Sequence, residues 1–161
     1  MQKAAIGIVI SENHILLVKR QDLPLWVIPG GGIDEGETAE EAVVREVKEE
    51  SGLDIAIERK VAEYSPINRL ASFANLFQCR LLGGEIQASD ETADVQFFPL
   101  EKLPKNLFFL HREWIDDALK NSSEIIRRPL KNISYPRAIL YAFVHPIITM
   151  KYLYTRATKT M

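Results

Sequence analysis

The sequence predicts an α/β fold in which helices cover a mixed β-sheet. Apolar runs of strand length recur through the first 100 residues and are separated by turn residues. Among them, three consecutive glycines lead into a segment with the caps and apolar spacing of a short helix. The chain has 161 residues, of which 47% are hydrophobic, so one domain with a substantial core is expected.

The predicted strands follow in chain order. Residues 4–10 and 14–18 are apolar runs around a polar turn, which is typical of a β-hairpin. Further strands are predicted at residues 25–28, 54–64, 70–82 and 95–100, with a return strand beginning at residues 85–87 after Gly83 and Gly84. Residues 111–120 fit an amphipathic helix that covers one side of the sheet.

The helix after the glycines has recognisable ends. Thr38 is a suitable N-cap, and Glu41 three residues later completes a capping box. Gly52 suits the position just beyond the helix, where a left-handed conformation is needed. The sequence therefore predicts a helix between Thr38 and Gly52.

Three carboxylates of this helix are unusually placed. At about 100° per residue, Glu46, Glu49 and Glu50 continue the apolar stripe, whereas Glu40 and Glu41 point outward. Carboxylates gathered on one side repel each other, and burial would raise their pKa values. A hard divalent cation removes both penalties, so the pattern indicates a site for Mg²⁺, with Mn²⁺ as a substitute.

The same stretch resembles the signature of the Nudix (MutT-like) hydrolases. Gly31, Glu37 and the run from Arg45 to Leu53 fill its fixed positions over 23 residues. The resemblance implies a Nudix-type α/β/α sandwich with a mixed sheet for residues 1–120. It also implies Mg²⁺-dependent hydrolysis of the pyrophosphate bond in a nucleoside diphosphate linked to another group.

The resemblance also implies roles within the site. It makes the Gly30 carbonyl a metal ligand, and Glu46 and Glu50, stacked one turn apart, are the best direct ligands. Glu49 could bind a second ion or orient water, and Glu91 could supply a further carboxylate or belong to an ordinary acidic turn. The catalytic candidates are therefore Glu46, Glu49 and Glu91, with the general base left open between Glu49 and Glu91.

Four motif residues are expected to be structural. The resemblance implies an ion pair of Glu37 with Arg45 that braces the loop against the helix, and it gives Gly31 and Gly52 backbone roles.

Cys79 is expected to be a small core residue, since nothing nearby in sequence would lower its pKa. His14, His111 and His145 lack metal-ligand spacing and are treated as non-catalytic.

Substrate contacts are less strongly indicated. Arg20 ends the second predicted strand in a region that faces substrate in this family, and an exposed strand end is the equal alternative. Arg69 and Phe73 could contact phosphate and base, although a loop charge and a core aromatic are the simpler interpretations. A nucleoside triphosphate or an ADP-ribose-like small nucleotide is the expected substrate. The alternative function is a nucleotide sensor that uses this fold without turnover.

The last 41 residues differ from the rest. They carry a net charge of +6, against −8 for the first 120 residues. Residues 138–154 are strongly apolar, but they are short for a membrane span and contain Pro146, so a helix packed on the domain or on a second subunit of a homodimer is expected. This basic segment permits RNA ends without favouring them, and DNA binding is not expected. The single cysteine and the lack of a signal segment predict a cytoplasmic protein.

Overall fold

The computed structural model describes residues 3–133, 135, 136 and 150. Two helices and eight strands are formed within them. In chain order they are β1 (Lys3–Ser11), β2 (His14–Arg20), β3 (Trp26–Val27), β4 (Gly30–Gly32), α1 (Ala39–Ser51), β5 (Leu53–Ser65), β6 (Phe73–Gly84), β7 (Thr92–Pro99), α2 (Phe109–Leu119) and β8 (Ile126–Pro129).

The strands form one mixed sheet. Its order is β3-β2-β1-β6-β5-β8, with β4 paired to β1 and β7 paired to β2. The β1–β6 and β5–β8 pairs are parallel, whereas the other pairs are antiparallel. The predicted hairpin and the predicted mixed sheet are both confirmed.

The two helices cover opposite faces of this sheet. Side chains alternate between the faces along a strand, so Ile6 and Ile8 of β1 belong to the same core cluster as Trp114 of α2. Ala5 and Val9, which flank this pair and point to the other face, belong to a second cluster that contains Val43 and Val47 of α1. Cys79 lies in this second cluster and is 1% exposed, as expected. The arrangement is the predicted α/β/α sandwich.

Gly7 allows α1 to approach β1 closely. A Cβ atom at Gly7 would lie 2.8 Å from a methyl carbon of Val47 and 2.9 Å from one of Val43. Any larger residue would push the helix away from the sheet. The backbone of β1 therefore sets how near the acidic helix lies to the strand that carries the glycines.

Two local predictions were wrong. Residues 85–87 form no strand, because β6 itself continues through Gly83 and Gly84, which pair with Asp54 and Leu53. The whole sheet was also expected within residues 1–120, whereas β8 (Ile126–Pro129) extends the sheet beyond β5. Short strands recruited by an existing edge carry little periodic signal in sequence.

The predicted C-terminal helix lies almost wholly beyond the residues that the structure describes. The proposed helix at residues 138–154 falls on residues outside those described, apart from Met150. Its packing on the domain or on a second subunit stays a prediction. In the described part of the chain, neither helix has the length and apolar character needed to cross a bilayer.

A buried carboxylate fastens α2 and β8 to β5. Asp117, only 2% exposed, accepts hydrogen bonds from the Tyr64 hydroxyl (2.7 Å), from Lys120 (2.7 Å) and from Arg128. The Tyr64 ring stacks on Trp114 with 5.1 Å between centroids and 7° between planes. One side chain of α2 thus binds donors from β5, from β8 and from Lys120 just beyond the end of α2.

Asp117→Asn should destabilise the fold without touching the acidic helix. The neutral amide weakens the charge-assisted hydrogen bond with Arg128 and puts an NH₂ donor where a buried carboxylate oxygen accepted a hydrogen bond. We expect the free energy of unfolding to fall by about 2 kcal/mol, measured by urea denaturation. Lys120→Met is the matched control, because the Lys120 side chain is 59% exposed and its contribution should be small. Equal losses in the two variants would contradict the buried network.

Candidate active site

Helix α1 is fixed at both ends by its own sequence. The Thr38 side chain accepts the Glu41 N–H, and the Glu41 side chain accepts the Thr38 N–H, which confirms the capping box. Gly52 adopts φ = 77°, and its N–H donates to the Lys48 carbonyl. Since these ends fix the helix in sequence, they also fix the directions of the glutamates between them.

The glycines form strand β4 instead of a free loop. Gly30, Gly31 and Gly32 pair with Ile6, Ala5 and Ala4 of β1. The Gly30 N–H donates to Oε2 of Glu50 at 2.9 Å. A Cβ atom at Gly31 would lie 2.5 Å from the Glu46 carboxylate. The absence of side chains therefore lets two carboxylates of α1 lie directly against the strand.

Glu46 and Glu50 are the electrostatically strained pair. Burial raises the pKa of Glu50 to about 7, with further upward contributions from the charges of Glu46 and Glu91. Burial likewise raises the pKa of Glu46, and the charges of Glu49 and Glu91 add to the effect. The carboxylates repel one another, and the nearby cationic side chains neutralise their negative charge only in part.

Arg45 is the compensating cation on one side. Its guanidinium binds both oxygens of Glu37, at 2.8 and 2.9 Å, which is the predicted ion pair between loop and helix. It also donates to Glu46 (2.9 Å), to Glu49 (3.2 Å) and to the Gly32 carbonyl (2.9 Å). One planar side chain therefore joins the loop, the glycine strand and the acidic helix.

Glu37 should contribute to stability above its folded pKa. The Arg45 hydrogen bonds lower the pKa of Glu37 to about 2, from an ordinary value of 4.5. A lowered pKa in the folded state stabilises the fold above the unfolded value and loses that effect as the pH falls toward 2. Thermal melts of Glu37→Gln and wild type should therefore differ at pH 7 and converge between pH 4.5 and 2. The difference in melting temperature should shrink in high salt, since the Glu37–Arg45 pair is near the surface. A difference that grows on acidification would contradict a stabilising role of the Glu37 carboxylate.

A second loop brings Glu91 toward the helix. The charge of Glu91 raises the pKa of both Glu46 and Glu50, and the next residue, Thr92, contacts the helix directly. Thr92, 2% exposed, donates from its hydroxyl to the Glu50 carbonyl at 3.1 Å and also accepts the Ser89 N–H. The sequence analysis missed Thr92. The Ser-x-x-Thr spacing of residues 89–92 suggests a local turn but gives no sign of its long-range partner.

Glu49 differs from the other two helix acids. Its side chain is 59% exposed, whereas that of Glu46 is 15% exposed. Glu49 contacts Arg45 at the edge of the site. Its exposure makes the Glu49 carboxylate accessible to water.

The three predicted substrate residues lie in different surroundings. The charge of Arg20 lowers the pKa of Glu50, and the Arg20 guanidinium binds Asp22. Phe73 begins β6 and pairs with Lys3 of β1, two strands away from β4. Arg69 is exposed in the turn between β5 and β6. Of these three residues, Arg20 is the one whose charge acts on a glutamate of α1.

The donor set suits a hard divalent cation. Carboxylates predominate, and their mutual repulsion together with the burial of Glu50 is the situation that a bound cation relieves. Within the described residues, no three His, Cys, Asp or Glu side chains are already gathered as ligands of one ion. Glu46 instead binds Arg45, and Glu50 binds the Gly30 N–H.

Known proteins match this chain over most of its length. The family model of the NUDIX domain matches residues 1–118. The chain is a Nudix hydrolase. A Methanocaldococcus jannaschii protein named ADP-ribose pyrophosphatase is 39% identical over 123 residues, covering 73% of this chain and 72% of that protein. A Bacillus subtilis protein named putative 8-oxo-dGTP diphosphatase is 36% identical over 139 residues, covering 85% and 92%.

A solved structure agrees with this assignment. An ADP-ribose pyrophosphatase from Streptococcus suis superimposes with a TM-score of 0.65 at 32% sequence identity, covering 80% of this chain and 98% of that one. The Nudix hydrolase is thus an enzyme that acts on pyrophosphate bonds. The family generally uses a divalent metal, and the carboxylates of α1 provide donors of the appropriate kind.

Proposed function

We propose that this Nudix hydrolase uses Mg²⁺ to cleave the pyrophosphate bond of a small nucleotide, with ADP-ribose as the first substrate to test. The observation that carries the proposal is that the Glu46 and Glu50 carboxylates lie against the glycine strand β4, where the charges of Glu91 and Arg20 also act on Glu50. Carboxylates suit the metal, and a guanidinium suits a phosphate. The relatives named ADP-ribose pyrophosphatase support the choice of nucleotide.

In the proposed reaction, the oxygen of water forms a bond to one phosphorus as the bridging P–O bond breaks. Glu46 and Glu50 would hold the metal, which would supply positive charge to stabilise the charge gathering on the phosphate oxygens. Glu49 or Glu91 accepts the proton of the attacking water, and the two are still alternatives. Arg20 orients a phosphate oxygen.

A second substrate class has support of its own. The Bacillus subtilis relative named putative 8-oxo-dGTP diphosphatase covers more of this chain than the archaeal relative does. A nucleoside triphosphate would present the same phosphoanhydride chemistry to the site. Cleavage would then release pyrophosphate together with a nucleoside monophosphate, whereas ADP-ribose would give AMP and ribose 5-phosphate.

The test is product formation from a nucleotide panel with Mg²⁺, Mn²⁺ or EDTA. The panel contains ADP-ribose, nucleoside triphosphates including 8-oxo-dGTP, NADH, a diadenosine polyphosphate, nucleotide sugars and 5′-triphosphate RNA. We expect metal-dependent release of AMP from ADP-ribose. Preferred cleavage of a triphosphate would overturn the substrate choice. Tight binding of a panel member with no product in any metal would instead favour the nucleotide-sensor alternative.

A further inference from the structure

A buried histidine of α2 holds the strand that precedes the glycines. His111 is 7% exposed and lies in the first turn of α2. Its Nδ1 accepts the Ile28 N–H at 2.8 Å, across a sequence separation of 83 residues. Ile28 comes two residues before Gly30, so this contact lies close to the acidic cluster along the chain.

The imidazole takes the place of one hydrogen bond in a short parallel pairing between the chain at Trp26 and the chain at Leu107. The Trp26 N–H donates to the Asn106 carbonyl (3.1 Å), and the Phe108 N–H donates to the Trp26 carbonyl (2.9 Å). The next rung of that pattern would join the Ile28 N–H to the Phe108 carbonyl. However, the Phe108 carbonyl accepts the His111 N–H (2.9 Å) as α2 begins. The Phe108 carbonyl is therefore occupied, and Nδ1 of His111 accepts the Ile28 N–H in its place.

The ring is held firmly in this role. It stacks on Trp114 at 4.8 Å between centroids and contacts the edge of Phe108 at 5.2 Å. Burial lowers the pKa of His111 to about 3, so the ring is neutral near pH 7. Since Nδ1 accepts a hydrogen bond, the proton lies on Nε2.

Three successive residues then connect α2 to the site. The Ile28 N–H is held by His111, and the Pro29 carbonyl accepts the Gly7 N–H of β1 at 2.9 Å. The Gly30 N–H donates to Glu50 at 2.9 Å. A shift of the chain at Ile28 would therefore move the donor that orients the Glu50 carboxylate.

We infer that His111 is a positioning residue for the metal-binding carboxylate, because its Nδ1 fixes Ile28 and thereby holds the Gly30 N–H against Glu50. The inference rests on the proposed function where it names Glu50 as a metal ligand. The Gly30 N–H is the group that bonds the ligand directly, and loss of such an interaction typically changes metal affinity by about 10- to 100-fold.

The test compares two replacements of His111. In His111→Asn, Oδ1 lies at the same number of bonds from Cβ as Nδ1 and can accept the Ile28 N–H. His111→Leu has similar bulk and no acceptor. Calorimetric titration with Mn²⁺ alone should show at least about 10-fold weaker binding for the leucine variant and near wild-type binding for the asparagine variant. Hydrogen exchange of the Ile28 amide should be faster only with leucine.

Ile115→Ala separates positioning from general destabilisation. Ile115 is 1% exposed on the same helix, so its truncation should lower the melting temperature while leaving Mn²⁺ affinity unchanged. If the leucine variant does not fold, His111→Gln, whose acceptor lies one methylene farther out, replaces it in the comparison with asparagine.

The outcomes distinguish this inference from the proposed function. Wild-type Mn²⁺ affinity in the variant without a correctly placed acceptor would overturn the positioning role. If that variant binds Mn²⁺ more weakly but the wild-type protein cleaves no nucleotide, the positioning role is retained and the proposed function is overturned.

Discussion

Glu50→Gln should lower metal-dependent hydrolysis by about 10²- to 10³-fold, because a neutral amide is a poor ligand for Mg²⁺ and a bound metal contributes several kcal/mol to such a reaction. The fold should persist, since the glutamine oxygen can still accept the Gly30 N–H. The measurement is kcat/KM on the substrate identified from the panel, over a range of Mg²⁺ concentrations. Glu40→Gln, at an exposed position in the first turn of the same helix, is the matched control.

Without metal, Glu50→Gln should raise the stability of the fold although it lowers the activity. The folded pKa of Glu50, about 7, lies above its ordinary value of 4.5. Folding is therefore favoured by the protonated form, and this contribution is lost as the pH rises from about 4.5 through 7. In EDTA at pH 8, Glu50→Gln should melt at a higher temperature than wild type. Full activity in this variant, or a lower melting temperature at pH 8, would contradict the assignment of Glu50.

Gly31→Ala should remove activity by displacing a carboxylate while the fold survives. The added Cβ would lie 2.5 Å from the Glu46 carboxylate, and the end of that flexible side chain can move away. Misplacement of a functional group by about 1 Å can cost roughly 10²-fold in rate. We expect a loss of that order in kcat/KM, with a melting temperature close to wild type, because alanine also reduces the entropy of the unfolded chain.

The neighbouring glycine provides the control for this effect. A Cβ at Gly32 would meet no atom within 4 Å, and neither Gly31 nor Gly32 has a positive φ that would strain alanine. Gly32→Ala should therefore retain wild-type kcat/KM and stability. If Gly32→Ala lost as much activity as Gly31→Ala, the loss would come from backbone stiffness in β4, and the steric account of Glu46 would be wrong.

Local sequence rules described the acidic helix well. Thr38, Glu41 and Gly52 predicted its ends because caps depend on residues three or four positions apart. The spacing of Glu46 and Glu50 predicted that they share a face, because helical geometry alone requires it. The resemblance to the Nudix signature added the Glu37–Arg45 pair, which the structure contains.

Long-range partners could not be predicted in the same way. The hydroxyl of Thr92 bonds to the Glu50 carbonyl 42 residues away, and nothing in either local sequence specifies that pairing. The sequence also placed Glu46, Glu49 and Glu50 on one side of the helix without indicating how far each is buried. Their burial differs because β4 covers Glu46 and Glu50, while Glu49 is left at the exposed edge.

By itself, the sequence determined the family, the mixed α/β class and the helix that carries the glutamates, because each depends on residue types at short, fixed spacings. Only the tertiary structure decided which carboxylates are buried, where Arg20 lies relative to Glu50, and that His111 completes the ladder at Ile28. These features depend on how strands pair and how helices pack across the sheet. Such contacts join residues far apart in the chain, whose individual identities are compatible with many other partners.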